Sequence, residues 1–365
     1  MKTPYRVVLV GTGGIGDAHV RAVAALPGRV QLVAACDIDA KRAQDFCTRH
    51  GIPQAHTDYA AMLKAERPDI VLIAAPPALH ANMSIAAMEA GAWVLCEKPL
   101  CASLAELDRI QAAEKKTGKF TASIFQMRFA SSNTHVRSLL AAGRFGRPLL
   151  AICHTLWFRD AAYYAVPWRG KWATEFGGPT TSQGIHTMDH LLHLLGDWSE
   201  VRAVIDNLYH KIEVEDLSMA HVKFANGARA SIVNSTVCPR QETYLRLDCE
   251  RATVELTHLY AYQKENWKLT PADPVADAAL VTAWNAFPPD VGSTHAAQLE
   301  NFIAAMDAHT APATGGSVAR GTIEFLTAIY KSAFTGAPVT RGSILPGDPF
   351  YSALHGGMAS RRMTQ

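Results

Sequence analysis

The feature that most constrains this chain is a rhythm over its first third. Short runs of β-branched and other apolar residues alternate with alanine-rich stretches, and turn residues separate them. Strands are expected over 6–10, 30–36, 70–74, 93–96 and 120–124, and helices over 15–25, 40–50, 78–90 and 103–116. Repeated strand–helix–strand units return the chain by crossovers, which calls for a doubly wound parallel sheet covered on both faces. After about Gln126 the rhythm changes. A helix is expected near 133–142, strands near 149–158, 218–224, 228–235 and 244–248, a helix over 183–195, and two more near 295–309 and 318–335. Asn226-Gly227, between two alternating runs, is a hairpin signal, and 270–289, rich in Pro and Ala, reads as a long connection. The expected class is therefore α/β plus α+β, with one domain over 1–125 and a second, on a mostly antiparallel sheet, over 126–365.

Composition agrees with two globular domains: of 365 residues, 48% are hydrophobic and 19% charged. Lys plus Arg number 35 against 33 Asp plus Glu, a balance of +2 with no block of like charge. Nucleic acid and anionic membrane are thus not the expected partners. Seven cysteines, in odd number and without C-x-x-C, fit a reducing cytoplasm rather than a disulfide scaffold. No signal peptide or membrane span is expected.

Gly11-Thr12-Gly13-Gly14-Ile15-Gly16 fits G-x-G-x-x-G and stands where that motif has physical meaning, directly after a strand and at the start of a helix. The first glycine permits the tight turn, the second lets backbone approach a pyrophosphate, and the third allows close helix packing. The helix N-terminus adds N–H groups and a positive dipole end, completing a Rossmann dinucleotide site. Asp37 closes the second strand, where a carboxylate accepts the ribose hydroxyls of NAD and repels the 2′-phosphate of NADP. Lys41 and Arg42 stand near as cations able to serve a phosphate, and Asp39 is the better placed N-cap for the helix beginning near 40. Glu97-Lys98-Pro99 follows a strand at the carboxyl edge of the sheet, which makes Lys98 a catalytic candidate. His186, His190 and His193 fall on one helical face. That face lacks the glutamate of H-E-x-x-H and any nearby cysteine, so no metal is expected there. Trp168-Arg169-Gly170-Lys171-Trp172, after Tyr163-Tyr164, gathers aromatic faces and cations suited to a sugar ring or nicotinamide.

Taken together with Pro76 to His80, Gln126-Met127-Arg128-Phe129 and Gly184-Ile185-His186-Thr187-Met188-Asp189, these motifs resemble the Gfo/Idh/MocA oxidoreductases over nearly the whole chain. The resemblance implies NAD-dependent hydride transfer at a hydroxyl carbon of a sugar, cyclitol or sugar derivative. His186 would be general acid/base and Lys98 would stabilise the alkoxide. It implies a cofactor set of Gly11, Gly13, Gly14, Ile15, Gly16, Asp37, Ile38, Ala75, Pro76, His80, Glu97, Lys98, Gln126 and Arg169. The implied substrate set is Lys98, Arg128, Tyr164, Trp168, Trp172, Ser182, His186 and Asp189. Ser182 departs from the Asp or Asn that the family commonly carries four residues before the histidine, and it suits substrate binding better than proton relay. The alternative is an NAD-retaining glycoside-cleaving enzyme working by transient oxidation, elimination, hydration and reduction, with Tyr163 or Tyr164 as acid. A dinucleotide-sensing regulator without turnover is the third reading. A cytoplasmic homodimer or homotetramer is implied.

Overall fold

The structure is a computed structural model that describes residues 3–359; the outer ends of the two expected domains, residues 1–2 and 360–365, lie outside the described residues. The chain forms two compact units. One runs up to Ile124 and takes in His295–Gly321; the other holds Phe125–Thr294 and the chain from Thr322 onward.

The first unit is built on six strands: β1 (Tyr5–Val10), β2 (Val30–Cys36), β3 (Gln54–His56), β4 (Ile70–Ile73), β5 (Trp93–Cys96) and β6 (Thr121–Ser123), in the order β3-β2-β1-β4-β5-β6. Every pairing is parallel, as the crossover rhythm demands. The register aligns the strand ends: Val10 lies opposite Cys36 and Ile73, Ile73 opposite Cys96, and Cys96 opposite Ser123. Gly11, Asp37 and Glu97 therefore all leave the sheet at one edge. The order reverses between β1 and β4, the switch point at which doubly wound sheets take their ligands. The strand β3 and the helix Tyr59–Glu66 were not expected from sequence, because Gln-Ala-His has no β-branched residue and is only an edge strand.

The helix His295–Ala308 corrects the expected boundary. Leu299, Phe302, Ile303 and Met306, spaced i, i+3, i+4 and i+7, join the core of Val7, Leu9, Leu72 and Leu95. Gln298 Nε2 donates to the Ser123 carbonyl at 2.7 Å, and the Thr314 hydroxyl does so at 2.8 Å. A parallel sheet must be covered on both faces, and here part of the cover comes from far along the chain.

The second unit is built on β7 (Pro148–Phe158), β8 (Trp198–Asp206), β9 (Leu217–Phe224), β10 (Arg229–Ser235), β11 (Val237–Cys249), β12 (Ala252–His258), β13 (Trp267–Pro271) and β14 (Val339–Thr340). Their order is β13-β12-β11-β7-β10-β9-β8-β14, antiparallel except for the parallel pair β7–β10. The Asn226-Gly227 hairpin forms between β9 and β10, with Gly227 at φ +95°. Strand β9 alternates buried and exposed residues, and the helix Gly184–Leu195 packs on the covered face. The expected connection 270–289 instead carries the helix Ala278–Asn285, held by buried Leu280 and Trp284. All seven cysteines are free. Among the described residues no helix is long and apolar enough to cross a membrane.

Candidate functional site

In the first unit the glycine loop joins β1 to the helix Gly16–Ala24. Gly11 has φ +90°, and a Cβ there would stand 2.4 Å from the Ala74 carbonyl oxygen, so no other residue fits. A Cβ on Gly13 or Gly14 would meet nothing within 4 Å. These two therefore present open backbone, a cradle into which side chains would project. Gly16 comes close to its neighbours: a Cβ would lie 3.1 Å from the Phe46 ring. Ile15 stands at the N-cap with no side chain bonded over the helix end, which leaves that end open for an anion. Asp37 accepts the Thr12 N–H and hydroxyl, each at 3.0 Å, and the Asp39 N–H at 3.1 Å. Arg42 grips it bidentately at 2.6 and 3.0 Å. Burial pushes the Asp37 carboxyl up, but these donors outweigh it and hold the group at about 2. Ile38, beside it, is 90% exposed. Asp39 caps the following helix through the Arg42 N–H, as expected. The open glycines, the uncapped helix end and the ionised carboxylate fit a dinucleotide.

Ala75 and Pro76 lead from the end of β4 into a short 3₁₀ turn. His80 ties that segment to the end of β5, its ring nitrogens lying 2.8 Å from the Ala75 carbonyl and 2.7 Å from that of Pro99. Glu97 is buried beside half-buried Lys98. Its Oε1 accepts from Nε2 of His19 and Nε2 of His295, both at 3.1 Å. Burial alone would raise the Glu97 carboxyl, yet the two imidazoles hold it well below the usual range. Burial lowers His19, which serves as a neutral donor. These three residues form a group of N/O donors, all within 4.8 Å of one another, that could hold a metal ion. The 3.1 Å separations are those of N–H···O bonds, which satisfy the carboxylate as they stand. Sequence reasoning missed His19 and His295. His19 had a signal, lying on the helix that opens at Gly16; His295 had none.

In the second unit, helix Gly184–Leu195 carries His186 and Asp189. Asp189 is 1% and Arg128 10% exposed at the side chain, and they form a bidentate pair at 2.6 and 2.7 Å. The Thr322 hydroxyl also donates to Asp189 at 2.9 Å. The two expected substrate residues thus neutralise each other. His190 stacks on Tyr262 and bonds Asn133 Oδ1 at 2.7 Å, while His193 Nδ1 accepts from Arg128 at 3.2 Å. His190 and His193 are thereby engaged in packing and hydrogen bonding.

Ser182 shares one hydroxyl proton between the Gly178 carbonyl at 2.6 Å and Gln183 Oε1 at 2.5 Å. Gln183 Nε2 donates to the Tyr163 hydroxyl at 2.8 Å. Arg169 bonds the same hydroxyl, pairs with buried Glu175 at 2.8 Å, and stacks on Tyr163 and Trp168. Tyr163, Trp168, Arg169, Glu175, Ser182 and Gln183 therefore form one network. Tyr164 bonds the Thr236 hydroxyl at 3.0 Å. Trp172 departs from the rest. Its indole N–H donates to the Glu213 carbonyl at 2.8 Å and its ring packs against Tyr330, Phe334 and His355, which is a packing environment. Gln126 donates to the Tyr260 hydroxyl at 3.2 Å, and the Tyr260 ring meets His186 edge-on at 6.0 Å. Tyr260 was not singled out from sequence, since a lone tyrosine after a strand carries no motif.

Known proteins bear on this arrangement. Residues 5–125 match the family model described as an oxidoreductase family with an NAD-binding Rossmann fold, and residues 133–255 match the Gfo/Idh/MocA C-terminal domain. Inositol 2-dehydrogenase of Salmonella paratyphi B is 34% identical over 39% of this chain and 43% of that enzyme, so the alignment spans less than half of the curated relative. D-apiose dehydrogenase of Paraburkholderia graminis is 25% identical over 98% of this chain and 95% of its own. The solved WlbA dehydrogenase of Chromobacterium violaceum, in complex with NADH and UDP-GlcNAcA, superposes with a TM-score of 0.83 at 27% identity, covering 94% of this chain and 97% of that one. With both of its domain models matched in sequence order, the chain belongs to the Gfo/Idh/MocA oxidoreductase family.

Proposed function

We propose that the protein is an NAD-dependent dehydrogenase acting at a hydroxyl-bearing carbon of a sugar, cyclitol or sugar derivative. The first unit would bind the cofactor and the second the substrate. The observation that carries the reading is the open cradle of Gly13 and Gly14 between β1 and a helix end, with ionised Asp37 at the end of β2. Gly11 to Gly16 would hold the pyrophosphate and Asp37 the adenosine ribose. Lys41 is paired with Asp45 and Arg42 with Asp37, so both cations near the ribose are already neutralised, which supports NAD over NADP. When bound, NAD supplies the hydride acceptor. An imidazole nitrogen of His186 would take the hydroxyl proton, or return it in the reverse direction. The role proposed for the Lys98 ammonium is to stabilise the developing alkoxide charge by a hydrogen bond. Buried Glu97, held by His19 and His295, fixes the strand end from which Lys98 projects. D-apiose and inositol dehydrogenases among the relatives favour polyhydroxylated substrates.

Self-association belongs to the same reading. The outward row Val204, Met219, Val233, His154 and Tyr244 crosses five adjacent strands and offers an apolar stripe to a second copy. A cytoplasmic location is supported by the seven free thiols.

The test follows NADH formation with NAD and a panel of sugars, cyclitols and sugar acids. Lys98→Ala is expected to lower kcat roughly 100- to 1,000-fold, with NAD affinity within a few-fold of wild type. Near-normal turnover in that variant would remove Lys98 from the chemistry. Glycoside cleavage with no net NADH would replace the dehydrogenase reading.

A further inference from the structure

Arg159 lies just beyond β7 in the second unit. Its guanidinium carbon stands 4.8 Å from the Trp157 ring centre and 5.1 Å from that of Tyr163. Its Nη1 donates to the Phe158 carbonyl at 2.8 Å and reaches Gln241 Oε1 at 3.4 Å. The side chain is thus held by two aromatic rings and two acceptors, and both hydrogen bonds use Nη1. Four other arginines of this unit are paired with carboxylates: Arg128 with Asp189, Arg169 with Glu175, Arg251 with Asp277 and Arg240 with Glu242. Arg159, among the described residues, pairs with no carboxylate. Neighbouring Asp160 is turned to the backbone, accepting the Tyr163 N–H at 3.0 Å. Tyr163 therefore carries two guanidiniums, Arg169 at 3.9 Å from its ring centre and Arg159, with Glu175 compensating only Arg169.

This cation connects to His186 by two routes. Trp157 contacts Tyr260, whose ring meets His186. Tyr163 bonds Gln183, whose carbonyl accepts the His186 N–H at 3.4 Å. A planar guanidinium already immobilised by stacking loses little freedom on binding an oxyanion with its remaining N–H groups.

We propose that Arg159, clamped between Trp157 and Tyr163, is a subsite for an oxyanion substituent of the substrate, a carboxylate or a phosphate, so that the preferred substrate is an acidic sugar or polyol rather than a neutral one. The place of this subsite beside the reacting hydroxyl rests on the dehydrogenase reading; its ligand class does not.

The experiment measures binding before turnover. The full-length protein, with saturating NAD, is titrated by calorimetry with glucuronate, gluconate and glucose 6-phosphate, and in parallel with glucose and myo-inositol. At least one anionic member is expected to bind roughly tenfold or more tightly than its neutral counterpart, and Arg159→Gln to weaken it by roughly 10- to 100-fold. Neutral ligands should change less than about threefold. Arg159→Lys, which keeps the charge but not the fork, should recover part of the loss, and thermal melting of each variant separates lost binding from lost folding. Tighter binding of the carboxylates assigns a carboxylate subsite; tighter binding of the phosphate assigns a phosphate subsite. Equal or weaker binding of all three anions relative to the neutral ligands, or an Arg159→Gln variant that keeps full affinity while folded, overturns the proposal. Anion binding that depends on Arg159 with no NADH from any panel member would leave the subsite standing and overturn the dehydrogenase reading.

Discussion

The two units place polar groups in apolar surroundings by opposite means. At the carboxyl edge of the parallel sheet the groups are mostly backbone: glycine N–H and carbonyl positions, with Glu97 satisfied by two imidazole nitrogens. In the second unit, charge meets charge on the helices and loops beside the antiparallel sheet, Arg128 with Asp189 and Arg169 with Glu175. A backbone cradle is specified by a few consecutive residues and survives wide change elsewhere. A buried ion pair needs two elements docked in register, and each partner is costly without the other. The difference teaches that a backbone cradle can be written locally, whereas a buried charge pair is distributed along the chain.

The sharpest way to break this contrast is at the glycines. Gly11→Ala forces a Cβ to 2.4 Å from the Ala74 carbonyl at φ +90°, and is expected to destroy both dinucleotide binding and the cooperative melting of the first unit. Gly13→Ala meets nothing within 4 Å, so it should fold with an unchanged melting temperature and lose dinucleotide affinity alone. Calorimetry with NAD and a melting curve on each variant would decide. If the two behave alike, the cradle has been misassigned.

Next in size is the buried pair. Removing one partner, as in Arg128→Ala or Asp189→Ala, should cost about 3–5 kcal/mol in urea unfolding, because the remaining charge is left uncompensated. The combined variant Arg128→Met/Asp189→Leu should lose less than either single change. Additive losses would show that the two side chains do not act as a pair.

The smallest effect is on pH. Burial first, then Arg128 and Arg137, hold His193 at about 3, and burial holds His258 at about 4. Burial lowers His19 and His80 in the first unit as well. A histidine depressed in the folded state leaves the unfolded chain to take the proton first, so stability falls as pH drops below about 6.5 and the loss continues to the folded value. Glu97 has the carboxylate sign: its contribution is complete above the ordinary range near 4.5 and is lost as pH falls through its lower folded value. The urea midpoint should therefore drop between pH 7 and pH 5. His193→Gln should shallow that slope, whereas Glu97→Gln should leave it nearly intact. An unchanged slope in the histidine variant would mean that His193 takes up its proton as readily in the folded chain as in the unfolded one.

The parallel sheet, the glycine turn, Asp37 and the Asn226-Gly227 hairpin were all legible in sequence, because each depends on residues a few positions apart. Strand period, turn chemistry and helix capping act over that range. What was not legible depended on distance along the chain. Helix His295–Ala308 completes the first unit although its sequence looks like any amphipathic helix, and it brings His295 to Glu97. The pairing of Arg128 with Asp189, 61 positions apart, was likewise not legible. Trp172, read as part of an aromatic loop, packs among Tyr330, Phe334 and His355.

The sequence by itself determined the periodicity, and with it which segments are strands or helices and where a dinucleotide would meet open backbone. Tertiary structure alone decided which charges are neutralised and which remain available. The physical reason is that a side chain's partner is chosen by packing across elements, whereas a backbone conformation is chosen by the residue and its immediate neighbours.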